Sequence, residues 1–263
     1  MLEVKNIVVE GKNHAKLLDG VSFCLKPGEA VGLTGQSGAG KTTLIKTVMG
    51  ILDRTCRMNA GCMRVDEVDI GVLPLAKRRE LCGTTLGFIP QNPMTAFDSR
   101  MKIGRQMTET LCIRLNLSQK KAVELATETL SALNLTDTNR VMQSYPAELS
   151  GGMLQRVSMA ILLGLKPKYI LADEPTSALD ETNRALLLEL LEQQVKETGI
   201  LMISHDVAAL SSLCKNVLVM EHGKITEMGK MEKLLLSPKR EWTKQFAAAN
   251  TKQDRRRWMW KEF

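Results

Sequence analysis

Gly35-Gln36-Ser37-Gly38-Ala39-Gly40-Lys41-Thr42 decides how this chain is read. The stretch fits G-x-x-x-x-G-K-[ST], a loop whose glycines let the backbone curl until successive N–H groups converge on phosphate oxygens. Its flanks supply the context the motif needs. Ala30 to Thr34 is a short apolar strand running into the loop, and Thr42 to Met49 carries helical spacing at Leu44, Val48 and Ile51. Strand, loop and helix follow in order, so the positive end of the helix dipole adds to the anion site. Lys41 is then placed to neutralise the β- and γ-phosphates of ATP, and Thr42 to ligate Mg²⁺.

On the N-terminal side, residues 2 to 9 and 21 to 25 alternate or cluster β-forming side chains, with Gly11, Gly20 and Pro27-Gly28 marking turns. A small antiparallel β layer is expected there. On the C-terminal side, about 94 to 166 reads as helix, with Ala122 to Leu133 amphipathic through Val123, Ala126, Leu130 and Leu133. Strand character returns at Tyr169 to Ala172 and again at Ile200 to Ser204, with a helix at Glu181 to Lys196 between them. That alternation implies parallel strands joined by crossover helices, an α/β core. Residues 217 to 228 read as a hairpin turning at His222-Gly223.

A phosphate cradle that turns over its ligand needs a metal-holding acid and a group that orients water. The run Ile170-Leu171-Ala172-Asp173-Glu174 reads as a buried strand ending in two carboxylates. Asp173 is expected to hold Mg²⁺ through water and Glu174 to polarise the attacking water. His205 follows the strand at Ile200 to Ser204, so three strands present polar groups at their carboxyl ends, where open α/β sheets bind ligands. It is the candidate for contacting the γ-phosphate. Leu149-Ser150-Gly151-Gly152-Met153 is a second glycine-containing turn that opens a helix, with Ser150 as N-cap. Since the first loop already holds one nucleotide, this helix start is free to serve the nucleotide of another copy or subunit.

The 263 residues, a quarter of them charged, are enough for one large domain or a domain with an insertion. No run reaches the 18 or so apolar residues of a membrane span, so any pore must come from other chains. Met1-Leu2-Glu3-Val4-Lys5 starts directly on a strand pattern without the basic and apolar regions of a secretion signal, so a cytoplasmic location is expected. The six cysteines lack C-x-x-C spacing and point to ordinary thiols, with Cys56 and Cys62 the one close pair. A net charge of +7 suits nucleic acid, an anionic membrane or a phosphate ligand alike. The tail carries Arg255, Arg256 and Arg257 beside Trp258 and Trp260, a mixture able to meet a membrane interface or a partner, or simply to stay solvated.

Taken together these residues resemble the ABC ATPase family: the loop Gly35 to Thr43, Gln91, the signature Leu149 to Gln155, Asp173-Glu174, Ser177 to Asp180, and His205. The resemblance implies a P-loop NTPase with a RecA-like parallel-sheet core, an N-terminal antiparallel β layer and an inserted helical subdomain. It divides the chain into an ATPase domain, 1–250, carrying that subdomain at about 94–166, and a basic-aromatic tail, 251–263. It further implies a head-to-tail pair sandwiching two ATP molecules. Ser150, Gly151 and Gly152 would act on the partner's ATP, Asp180 would couple the two sites, and Gln91 would touch Mg²⁺. Within the family, the motifs at 88–97 and 144–156 look like those of peptide and nickel importer ATPases. The end of the chain at Phe263, without a long cysteine-bearing extension, inclines the resemblance toward nickel or metal chelates. The partners so implied are a homologous second ATPase or a second copy, two transmembrane permease subunits and an extracytoplasmic binding protein, on the cytoplasmic face of the membrane. A soluble ATPase acting on nucleic acid or ribosomes is the alternative, supported by charge alone, and no nucleic acid is expected. The family usually stacks adenine on an aromatic ring near the end of the first strand. Val9 to Lys16 offers only His14, which implies weak discrimination between ATP and GTP.

Overall fold

The computed structural model describes residues 1–177 and 179–258, with side chains described as far as residue 249. In chain order the first half runs β1 (Leu2–Glu10), β2 (Lys16–Leu25), β3 (Ala30–Gly35), α1 (Lys41–Met49), β4 (Arg57–Val65), β5 (Val68–Asp69), α2 (Leu75–Leu81) and β6 (Leu86–Ile89). Helices α3 (Ile103–Leu115), α4 (Gln119–Ala132), α5 (Thr138–Gln143) and α6 (Gly151–Leu165) follow. The remainder is β7 (Tyr169–Asp173), α7 (Glu181–Val195), β8 (Gly199–Ile203), α8 (Val207–Leu213), β9 (Asn216–Glu221), β10 (Lys224–Lys230), α9 (Met231–Leu236) and α10 (Glu241–Trp258). Trp260 lies outside the described residues, as do the side chains of Arg255 to Trp258.

Among the described residues the strands make two sheets, one ordered β2-β1-β4-β5 and one ordered β10-β9-β3-β8-β7-β6. The first is antiparallel throughout. In the second, β6, β7, β8, β3 and β9 run parallel, and β10 closes the edge as the antiparallel arm of the hairpin. Strands buried on both faces read as continuous apolar runs, as β3, β7 and β8 do. Alternate residues feed opposite cores. Ile170, Ala172, Ile200 and Met202 pack with α3, α4, α6, α7 and α8, while Leu171, Leu201, Ile203, Val31 and Leu33 pack with α1 and the antiparallel sheet. The parallel sheet is thus covered on both sides.

Three strands, β4, β5 and β6, were not legible in the sequence. β4 is mostly exposed and its alternation at Met58, Ala60 and Cys62 changes phase to Met63 and Val65 across Gly61, while β5 has two residues and β6 four, so none carries a sustained period-2 signal. β4 also bends where Gly61, at φ +99, lies against the backbone of Lys5 and Asn6, opposite a register shift in β1. Conversely, the strand read through Glu174 stops at Asp173, because Glu174 turns into the left-handed region at φ +49.

Candidate functional site

Register fixes the site. Leu33 and Asp173 both pair with Ile203, so the carboxyl ends of β3, β8 and β7 come level at one edge of the sheet. From that edge project the Gly35–Thr42 loop, the Ser204-His205-Asp206 turn and the Asp173-Glu174 pair.

The loop can be built only from glycine at two of its positions. A Cβ on Gly35, at φ +145, would lie 2.0 Å from the Met220 carbonyl oxygen, and one on Gly40, at φ +100, would lie 2.6 Å from that of Leu17. Gln36 and Ser37 are exposed, and the Ala39 N–H closes a turn onto the Gln36 carbonyl. No side chain caps the start of α1, so the N–H groups at that terminus stay available to an anion. Thr43 accepts from the Thr47 hydroxyl inside α1.

Lys41, 7% exposed, folds back so that Nζ donates to the carbonyls of Gly35 at 2.7 Å and Gln36 at 2.8 Å. Burial holds its pKa below the ordinary lysine value, against the opposing pull of Glu174 and Asp173. Asp173 is buried, which raises its pKa, while the Thr42 hydroxyl beside it and the Lys41 charge work the other way. Glu174 is likewise raised by burial and then by the Asp173 charge. Its backbone N–H donates to the Ile203 carbonyl, tying β7 to β8 beyond the last paired residues. The left-handed conformation costs on the order of 1–2 kcal/mol for a non-glycine residue, and it turns the Glu174 side chain toward His205. His205 Nε2 stands 3.2 Å from Glu174 Oε1. Burial and the Lys41 charge depress the His205 pKa, so the contact fits a neutral imidazole donating from Nε2.

The structure therefore gathers Lys41, Thr42, Asp173, Glu174 and His205. Among the described residues, no hydrogen bond or ion pair joins Gln91, Ser150, Gly151, Gly152 or Asp180 directly to that group. Gln91 stands exposed two residues past β6. Ser150 caps α6 by accepting from the Met153 N–H at 3.2 Å. A Cβ on Gly151 would meet nothing, whereas Gly152 lies against Leu179. Asp180 caps α7, accepting from the backbone and side-chain nitrogens of Asn183. His14 projects into solvent with its side chain 94% exposed, paired at 3.3 Å with Glu10, and Leu17 fills the space over Gly11.

Three anchoring contacts gave no sequence signal. Gln155, 2% exposed, donates from Nε2 to the Pro175 carbonyl, joining α6 to the segment after Glu174. Arg184 on α7 pairs with Asp206 next to His205. Arg78 on α2 donates to the Thr47 carbonyl in the last turn of α1. Each partner lies far along the chain and outside any motif.

The residues present fit Mg²⁺ with a nucleotide. Among the described residues there is no group of three or more His, Cys, Asp or Glu able to hold a metal unaided. Mg²⁺ keeps waters and commonly takes one or two protein ligands beside substrate phosphates, and Thr42 next to Asp173 above an open helix start offers that donor set.

The family model described as "ABC transporter" matches residues 18–177. The oligopeptide transport ATP-binding protein AppD of Bacillus subtilis is 34% identical over 249 residues, covering 92% of this chain and 76% of that protein. The dipeptide transport ATP-binding protein DppD of Haemophilus influenzae is 33% identical over 248 residues, covering 92% and 75%. Among solved structures, a dimeric ATP-binding cassette in a post-hydrolysis state, bound to ADP and Pi, matches with a TM-score of 0.78 at 23% identity, over 88% of this chain and 99% of that one. That likeness is one of fold. An ATP binding subunit of an ABC transporter matches with a TM-score of 0.74 at 26% identity, over 89% and 91%. With a family match across more than half of its length and relatives at 33–34% identity along 92% of it, the chain belongs to the ABC transporter family, as an ATPase.

Proposed function

We propose that this chain is the ATP-hydrolysing subunit of an importer for short peptides, held on the cytoplasmic face of a membrane by two permease subunits. The observation that carries the chemistry is the 3.2 Å contact of His205 with Glu174, beside Asp173 and Lys41. In this reading the N–H groups of Gly35 to Gly40 and of the start of α1, Thr43 included, bind the phosphates of ATP. Lys41 exchanges the two carbonyls it now holds for the β- and γ-phosphates, trading neutral acceptors for charged ones. Thr42, Asp173 and Gln91 would hold Mg²⁺, which when bound neutralises phosphate charge. Glu174 accepts a proton from the attacking water as its oxygen bonds to the γ-phosphorus and the bond to the ADP oxygen breaks. His205 keeps the Glu174 carboxylate turned toward that water.

Ser150 and Gly151 are exposed at the start of α6, with Gly152 beside them, and none is joined to this cluster by a described hydrogen bond, which supports their acting on the ATP of a second ATPase, homologous or identical. Asp180 then lies at the junction. Among the described residues no helix is long and apolar enough to cross a membrane, so the reading requires separate permeases and an external binding protein. The names of the relatives, oligopeptide and dipeptide transport, carry the choice of short peptides over nickel or a metal chelate.

Purification of the tagged chain from solubilised native membranes tests this. Recovery of two membrane subunits and a second ATPase is expected, with ATPase activity of the reconstituted complex raised by its binding protein and short peptides. Stimulation by Ni²⁺ or a nickel chelate instead would change the cargo. Recovery with ribosomes or nucleic acid, and no membrane protein, would overturn transport.

A further inference from the structure

The turn that carries His205 is fixed at Asp206. The Asp206 N–H donates to the Ser204 hydroxyl at 3.0 Å, and its Oδ1 accepts from the Ala209 N–H at 3.1 Å as the N-cap of α8. Both ties are local, made within three residues. The remaining oxygen, Oδ2, pairs with the Arg184 guanidinium, which comes from α7. Of the hydrogen bonds and ion pairs of Asp206 described here, this is the one that reaches another element.

Arg184 stands one helical turn after Asp180, and its backbone N–H donates to the Asp180 carbonyl at 2.9 Å. The Asp180 side chain in turn caps the same helix through Asn183. Just before it, Leu179 lies against Gly152 of α6. A continuous path of contacts therefore runs from the start of α6, through Leu179 and Asp180, along the first turn of α7, across the ion pair to Asp206, and on to His205 and Glu174. The pair is partly shielded, with side-chain exposures of 23% for Arg184 and 35% for Asp206. Glu181 also approaches Arg184, at 3.8 Å, but is 89% exposed and offers a much weaker hold.

We propose that Arg184 is a positioning residue: its pair with Asp206 ties the Leu179-Asp180 junction and the first turn of α7 to the turn that aims His205 at Glu174. The inference rests on the proposed catalytic roles of Glu174 and His205. The Arg184 side chain pairs with Asp206 and Glu181, and among the described contacts with no residue of the phosphate loop. Its loss frees the His205 turn to pivot on its two local ties while the phosphate loop, on β3 and α1, is left as it was. The consequence falls on turnover and spares ATP binding.

The test is steady-state ATPase kinetics of the assembled complex. Arg184→Ala is expected to lower kcat about tenfold while KM for ATP stays within about twofold. Arg184→Lys, which keeps the charge, should recover most of the loss. Asp206→Asn keeps an N-cap for α8 but loses the charge pair, so it should lower kcat on its own, and the double variant Arg184→Ala/Asp206→Asn should be no slower than Arg184→Ala. Parent-like kcat in Arg184→Ala, a loss confined to KM, or additive losses in the double variant would each overturn the proposal. Should Arg184→Ala fail to fold, parent-like kcat in Asp206→Asn overturns it equally. Glu174→Gln, run alongside, separates the two levels. An inactive Glu174→Gln with an unaffected Arg184→Ala sinks this inference alone, whereas a fully active Glu174→Gln sinks the catalytic reading beneath it.

Discussion

Gly35 and Glu174 show how backbone conformation at single residues sets the chemistry. Gly35 is required because a Cβ there would collide with the Met220 carbonyl of the neighbouring strand. Backbone, unlike the tip of a flexible side chain, cannot step aside cheaply. Gly35→Ala should therefore destabilise the protein by more than about 3 kcal/mol, at the large end of single-residue effects. A urea midpoint within experimental error of the parent would show that β3 and β9 separate more easily than this packing allows. Glu174 adopts φ +49 although it is not glycine, and the Ser177 N–H and hydroxyl both hold its carbonyl. The residues of this cluster were legible because each sits in a local pattern: Lys41 and Thr42 in the glycine loop, Asp173 and Glu174 at a strand end, His205 after another. The φ of Glu174 was not, since it depends on the Ile203 carbonyl of β8. The His14 ring pairs with Glu10 in solvent, and the apolar surface near Gly11 belongs to Leu17.

At the scale of elements, helix α1 is anchored at its C-terminal end by a group the sequence did not connect to it. Its start is left uncapped for phosphate, and its end is capped by Gly50 in the left-handed region with N–H bonds to the Lys46 and Thr47 carbonyls. Arg78 of α2 adds a charged donor to the Thr47 carbonyl at 2.7 Å, where the negative end of the helix dipole favours a cation. Burial lowers the Arg78 pKa only from a very high value, so the charge persists. Arg78→Met retains bulk and removes the donor, and should cost about 1–3 kcal/mol of stability. An unchanged denaturation midpoint would mean that water replaces the guanidinium without loss. The same distance problem hid β4 and β6. Their pairing is decided by β1 and β7, which lie tens of residues away, and β4, mostly exposed and broken in phase at Gly61, carries little signal of its own. By contrast β7, β8 and the β9–β10 hairpin announced themselves through apolar runs and a His222-Gly223 turn.

For the whole molecule, the arrangement separates two helix starts, the uncapped one of α1 beside the Asp173-Glu174 pair and the Ser150-capped one of α6, which no described hydrogen bond or ion pair joins directly to that pair. In the proposed reading, one chain supplies the cluster that acts on its own ATP and, at the start of α6, a contribution to the ATP of its partner. The sequence conveyed the parts and their order but not this separation, which arises from packing α3 to α6 against one face of the parallel sheet and α1 against the other. The net charge of +7 gave no such information, since it fits several partners equally.

The central claim is that Glu174 performs the water-activating step on ATP held by the Lys41 loop. The most direct measurement compares ATP binding and phosphate release by the assembled complex carrying Glu174→Gln, with the second ATPase subunit inactivated in parent and variant alike. The account predicts ATP affinity within about threefold of the parent and a fall in turnover of at least about a hundredfold, the scale of losing a general base. Substantial phosphate release by that complex would contradict it.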